Sequence, residues 1–143
     1  MLKVVLADDE NKVILLMRKL IDWEALGYEV VGVANDGPHA LELVQTQQPQ
    51  LLITDIRMPG CDGIELIRRA KELQPQLHFI VISGYRQFEY AQSALKYGVE
   101  DYLLKPLKQE ELSSILLRIK DKLGEEAAVE FQLKQNSERQ QER

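Results

Sequence analysis

Polar residues with chemical potential stand at the ends of short apolar runs. Asp8 and Asp9 follow KVVLA (3–7), Asp55 follows LLIT (51–54), Ser83 closes FIVIS (79–83) and Lys105 closes DYLLK (101–105). Each has an ordinary explanation when taken alone. An Asp pair commonly caps a helix, and a lone Asp just before Pro59-Gly60 commonly begins a turn. Together they can do more. Three carboxylates in one place repel and stay ionised only beside opposite charge. Lys105 supplies one positive charge and leaves the set net negative. A hard divalent cation would balance it, and all-oxygen ligands select Mg²⁺ or a similar ion such as Mn²⁺. With few protein ligands, such an ion keeps positions that phosphate oxygens typically complete. A lysine and a hydroxyl suit the remaining phosphoryl oxygens. The set reads as a phosphoryl-transfer site with a metal, a nucleophilic carboxylate and two donors.

The elements that would bring these residues together are legible as a pattern. The apolar runs, with VVGVA (30–34) among them, are nearly continuous rather than alternating, as in parallel strands covered on both faces. Helix candidates lie between and after them near 12–21, 38–47, 63–73, 86–97 and 109–123. In the last, Leu112, Ile115, Leu116, Ile119 and Leu123 share one face. Asn35-Asp36-Gly37 before Pro38 is a turn feeding a helix, and Pro49 and Pro75 end helices. Five strand–helix units imply an α/β doubly wound parallel sheet with helices on both faces. All strands of such a sheet point one way, so the polar residues converge outside their carboxyl ends, where these folds bind ligands.

Composition narrows the class. The chain has 143 residues, enough for one domain with a core, with 45% hydrophobic and 29% charged residues. No apolar stretch approaches the roughly 18 residues of a membrane span, and MLKVVLADDE turns acidic too early for a signal peptide. The net charge of −5 lacks the basic balance that phosphate-backbone binding needs. One cysteine, Cys61, excludes an internal disulfide and fits a reducing cytosol. It falls in a loop, where exposure is ordinary. His39 and His78 read as surface or packing residues, and Trp23 packs the long connection IDWEALGYE (21–29). Gly124 is a helix stop, so the domain is expected to end near residue 123. GEEAAVEFQLKQNSERQQER (124–143) is then a solvated helix, a linker or disordered.

LADDE (6–10), ITDIRMPGCDG (53–63), VISGY (81–85) and DYLLKP (101–106) occur in order and at spacing that resembles the receiver domain of bacterial two-component response regulators. The resemblance covers residues 1–123. It implies a flavodoxin-like sheet of order 2-1-3-4-5 with five helices. It implies Asp55 as phosphoacceptor for a histidine kinase. Asp8 and Asp9 would hold Mg²⁺ or Mn²⁺ with Asp55 and the main-chain carbonyl of Arg57. Ser83 would be the switch hydroxyl, Tyr102 the switch aromatic and Lys105 the phosphoryl-binding lysine, joined to Pro106 by a cis bond. Arg57 and Tyr85 are placed to control water access. Cys61 departs from the usual Met of such receivers, outside the expected ligand set. IDWEALGYEVVGVANDG with SGYRQFEYAQSALKYGVEDYLLKP resembles receivers joined to an AraC-type helix-turn-helix DNA-binding domain. The chain is accordingly expected to be a piece of a longer cytoplasmic transcription regulator, the tail starting its linker. Output would be a phosphorylation-driven homodimer through residues 86–97, 101–104 and 109–123, with Tyr90, Lys96 and Tyr97 as contact candidates.

Two other functions use the same residues. An aspartyl phosphatase usually carries a second Asp two residues after its nucleophile as general acid/base. Here that residue is Arg57, which cannot serve. No insertion is long enough to cap a substrate. An interaction module with a dead site would not retain Asp8, Asp9, Asp55, Ser83 and Lys105 together.

Overall fold

The computed structural model describes residues 1–84, 96 and 98–141, with side chains as far as residue 136. Its five strands are β1 (Leu2–Ala7), β2 (Tyr28–Ala34), β3 (Leu51–Asp55), β4 (His78–Ser83) and β5 (Asp101–Leu104). They form one parallel sheet in the order β2-β1-β3-β4-β5. The helices among the described residues are α1 (Asn11–Leu20), α2 (Gly37–Gln47), α3 (Gly63–Leu73) and α4 (Gln109–Gln141). The expected helix at 86–97 lies outside the described residues, as do Tyr85, Tyr90 and Tyr97; Lys96 is described and exposed.

The sheet divides the core in two. Val4, Leu6, Leu51, Ile53, Ile80, Ile82 and Leu103 pack on one face with Ile14 and Met17 of α1 and Leu112, Ile115, Leu116 and Ile119 of α4. Val5, Leu52, Phe79 and Val81 pack on the other with Ala40 and Val44 of α2 and Leu66, Ile67 and Ala70 of α3. β3 and β4 are buried at every position because both of their faces are covered.

Local chemistry sets the element ends. Asp36 caps α2 by accepting a hydrogen bond from the His39 amide at 2.7 Å, with Pro38 in the first turn. Asp62 caps α3 in the same way through the Glu65 amide. In the connection 21–27, the Trp23 indole donates to the Met17 carbonyl at 3.1 Å, satisfying an orphan carbonyl at the end of α1. The Tyr28 hydroxyl, buried at the start of β2, donates to the Leu116 carbonyl at 2.6 Å and ties α4 to that edge strand.

Two expectations need correction. The helix does not stop at Gly124 but runs on to Gln141. A glycine stops a helix by taking a positive φ, and Gly124 does not. One glycine inside a helix costs only about 1 kcal/mol, and the residues after it are mostly strong helix formers. Cys61 is buried, not exposed: it packs between the start of α2 and the second core, with no room for a side chain at Gly37 beside it. Burial pushes its thiol up from the ordinary value, and nearby Glu65 adds to the shift.

Candidate functional site

The strands deliver their polar residues to one edge. Asp55 is the last residue of β3 and pairs in register with Ile82; Ser83, the last of β4, pairs with Leu104, so Asp55, Ser83 and the residue after β5, Lys105, come to the same edge. Asp8 follows β1, whose Ala7 pairs with Thr54. The cleft outside this edge is about 370 Å³, lined by Asp9, Glu10, Asp55, Ile56, Arg57, Ser83, Gly84 and Lys105. Gly63 is what lets α3 begin close to Asp55: a Cβ there would lie 2.7 Å from Ile56 Cα. Its amide instead donates to the Ile56 carbonyl at 2.7 Å.

Lys105 is the hub. Its ammonium lies 3.0 Å from Asp8 Oδ2 and 3.1 Å from Asp55 Oδ2. Asp55 Oδ1 accepts from its neighbouring Ile56 amide at 2.7 Å, and the residue, though buried, lines the cleft. Asp8 Oδ1 accepts from the Glu10 amide at 2.8 Å. Asp8 is fully buried, and burial pushes its carboxyl up to about 6; the Glu10 amide and Lys105 oppose that shift, and the charge of Asp55 adds to it. For Lys105 burial works against the charge, but the Asp8 and Asp55 carboxylates outweigh it and hold the ammonium above the ordinary lysine value. Asp8 has lost all its water and Lys105 has not, so burial weighs more heavily on the carboxylate than on the ammonium.

The site also passes a test for a cation. Asp8 Oδ2 is buried and has no aligned hydrogen bond among the described residues; the Lys105 ammonium is close but off the line of a bond. Asp8, Asp9 and Glu10 can bring one carboxylate oxygen each within 4.8 Å of one another. This all-oxygen set suits Mg²⁺. Asp9 and Glu10 are exposed and Asp8 is buried, so the cluster spans from the protein to the cleft. Sequence reasoning did not single out Glu10, although the run DDE is the signal that could have found it.

The remaining expected residues are placed as follows. Arg57 lines the cleft, and its amide lies 3.5 Å from Asp55 Oδ1. Ser83 is buried at the floor. Tyr102 lies on β5, half-buried against the core shared with α2 and α3, and its amide bonds Asp101 Oδ1 at 2.7 Å. The Lys105–Pro106 bond is cis. His39 is exposed on α2. His78 sits at the opposite end of β4 and pairs with Glu100 at 2.6 Å and Glu126 at 3.4 Å.

The chain resembles known proteins over most of its length. The model of the response regulator receiver domain matches residues 4–117. The uncharacterized transcriptional regulatory protein YesN of Bacillus subtilis is 45% identical over 119 residues, covering 83% of this chain and 32% of that protein. The transcriptional regulatory protein HptR of Staphylococcus aureus is 39% identical over 119 residues, 83% of this chain and 46% of its own. The chain thus spans less than half the length of these relatives. Among solved structures, the REC domain of AraT, a response regulator from Geobacillus stearothermophilus, matches with a TM-score of 0.84 at 42% identity, over 88% of this chain and 98% of that one. With this sheet order, this polar edge and these relatives, the chain belongs to the response regulator receiver domains of two-component signalling.

Proposed function

We propose that this domain is a phosphoacceptor switch in which Asp55 takes a phosphoryl group from the phosphohistidine of a sensor histidine kinase. The observation that carries the reading is the Lys105 bridge. One ammonium within about 3 Å of both Asp8 and Asp55 holds the two carboxylates side by side at an open cleft. Asp55 is the acceptor because it combines a carboxylate at the cleft with Ser83 on the adjoining strand β4 and Lys105 just past β5, within 3.1 Å. In the transfer, an Asp55 oxygen bonds to phosphorus as the phosphorus–nitrogen bond to the kinase histidine breaks, and that nitrogen keeps the electron pair. The ammonium of Lys105 and the hydroxyl of Ser83 meet the phosphoryl oxygens. Asp8, Asp9, Asp55 and the Arg57 carbonyl would hold Mg²⁺ or Mn²⁺, which supplies charge neutralisation for the incoming phosphoryl group. Arg57 stands where a phosphatase would need an acid, which favours a switch over an enzyme acting on other substrates.

Phosphorylation adds about 1.5 to 2 negative charges and three acceptor oxygens. Ser83 moving toward them vacates space that Tyr102, on the neighbouring strand, turns to fill. The output is control of transcription in the cytoplasm through a DNA-binding domain outside this chain, a reading supported by the names of the relatives. No helix among the described residues is long and apolar enough to cross a membrane. The folded unit ends near residue 123, and the remainder of α4 leads out as a linker. Incubation with acetyl phosphate or phosphoramidate and Mg²⁺, read by intact mass, tests the acceptor. An adduct of about 80 Da is expected; its absence would sink the reading in favour of an inactive interaction module.

A further inference from the structure

At the edge of the sheet opposite the cleft, α4 carries Arg118, Lys122 and Glu126 four residues apart, on one stripe of the helix. Every member of the stripe reaches the amino ends of β4 and β5. Arg118 donates to the Glu100 carbonyl at 3.2 Å and faces Asp101 at 3.4 Å. Lys122 reaches the Glu100 carboxylate at 2.9 Å, and Glu126 reaches the His78 imidazole at 3.4 Å. Glu100 and His78 bond to each other at 2.6 Å. Exposed ion pairs contribute little, but the Glu100 and His78 side chains are only 12% and 10% exposed. The helix therefore covers a half-built polar centre that water does not fully serve. Burial opposes the Glu100 charge, yet Lys122 and His78 outweigh it and hold the carboxyl below its ordinary value.

We propose that Arg118, Lys122 and Glu126 form a latch that holds the outgoing helix on β4 and β5. These strands present Ser83 at the far end and lead into Lys105 there. A shift of either strand at the cleft then moves the helix that leaves the domain. This coupling rests on the phosphoacceptor reading of Asp55; the latch itself does not.

Amide hydrogen exchange on the full chain separates the parts. In Lys122→Ala/Glu126→Ala, protection of amides 122–134 should fall by about tenfold or more. Alanine is the best helix former, so a helix sustained by local propensity alone would keep or gain protection. Unchanged protection would overturn the latch. So would an equal loss in Asp121→Ala/Gln132→Ala, which removes exposed side chains of the same helix. For the coupling, wild type carrying the mass adduct should change its protection at 122–134 by about twofold or more. An adduct with no such change would overturn the coupling and leave the latch. No adduct at all would overturn the reading of Asp55, and the coupling with it.

Discussion

At the scale of the residue, burial decides what each carboxylate can do. Asp8, Asp9 and Glu10 are consecutive, but only Asp8 is taken fully out of water, and that burial pushes its carboxyl up to about 6. Asp55 shares Lys105 with it, so two negative charges lean on one ammonium. Asp55→Asn should therefore abolish the mass adduct while leaving thermal stability equal to or above wild type, because one repelling charge is gone. Undiminished labelling would rule Asp55 out as acceptor; a marked drop in melting temperature would give it a structural role instead. Asp9 is exposed at the cleft and free of the burial that constrains Asp8. Asp9→Ala is expected to weaken Mg²⁺ or Mn²⁺ by about tenfold or more in calorimetry. Equal affinity in the variant would remove Asp9 from the ligand set.

At the scale of the element, α4 is held by two unlike devices. Its amino-terminal half is fastened by apolar packing and by the Tyr28 hydroxyl on the Leu116 carbonyl. Tyr28→Phe keeps the ring and removes only that bond, so chemical denaturation should show a loss of about 1 kcal/mol. A neutral result would mean that the carbonyl is satisfied within the helix and the hydroxyl adds nothing. Further along, Glu100 is held below its ordinary value of 4.5. A depressed carboxyl stabilises the fold above its unfolded-state value, and that stability is lost as pH falls through its folded-state value. Glu100→Gln should thus lower stability at pH 7 and flatten the fall of stability below about pH 4.5. Parallel curves for wild type and variant across the acid range would show that Glu100 is not the linked group.

At the scale of the whole molecule, the cleft and the outgoing helix stand at opposite ends of β4 and β5. The proposed dimer face includes residues 101–104 and 109–123, among which Leu104 and Leu117 are exposed. Phosphorylation should promote homodimerisation through this face, bringing two copies of the outgoing helix together. A ligand shifts such an equilibrium only by binding the active surface better than the inactive one. Sedimentation of the phosphorylated chain should show a dimer at concentrations where the unphosphorylated chain is a monomer. Identical distributions at high concentration would rule out dimerisation of this segment as the output.

The sequence by itself determined the sheet and most of the edge. Continuous apolar runs bounded by helical periodicity leave a parallel sheet as the arrangement that buries them, and a parallel sheet must carry the residues after its strands to one side. That is why the sequence alone groups Asp8, Asp55, Ser83 and Lys105. Strand starts were less legible: β2 begins at Tyr28 rather than Val30 because its partner Leu2 is already paired there. Only the tertiary structure decided which carboxylates share Lys105, that Cys61 is buried against Gly37, and that α4 continues past Gly124. It alone joined His78, Glu100, Lys122 and Glu126. Those four are 48 residues apart at the extremes, and nothing in the local sequence of any of them points to the others. Burial and pairing are properties of neighbours in space, and periodicity along the chain carries information only about neighbours in sequence.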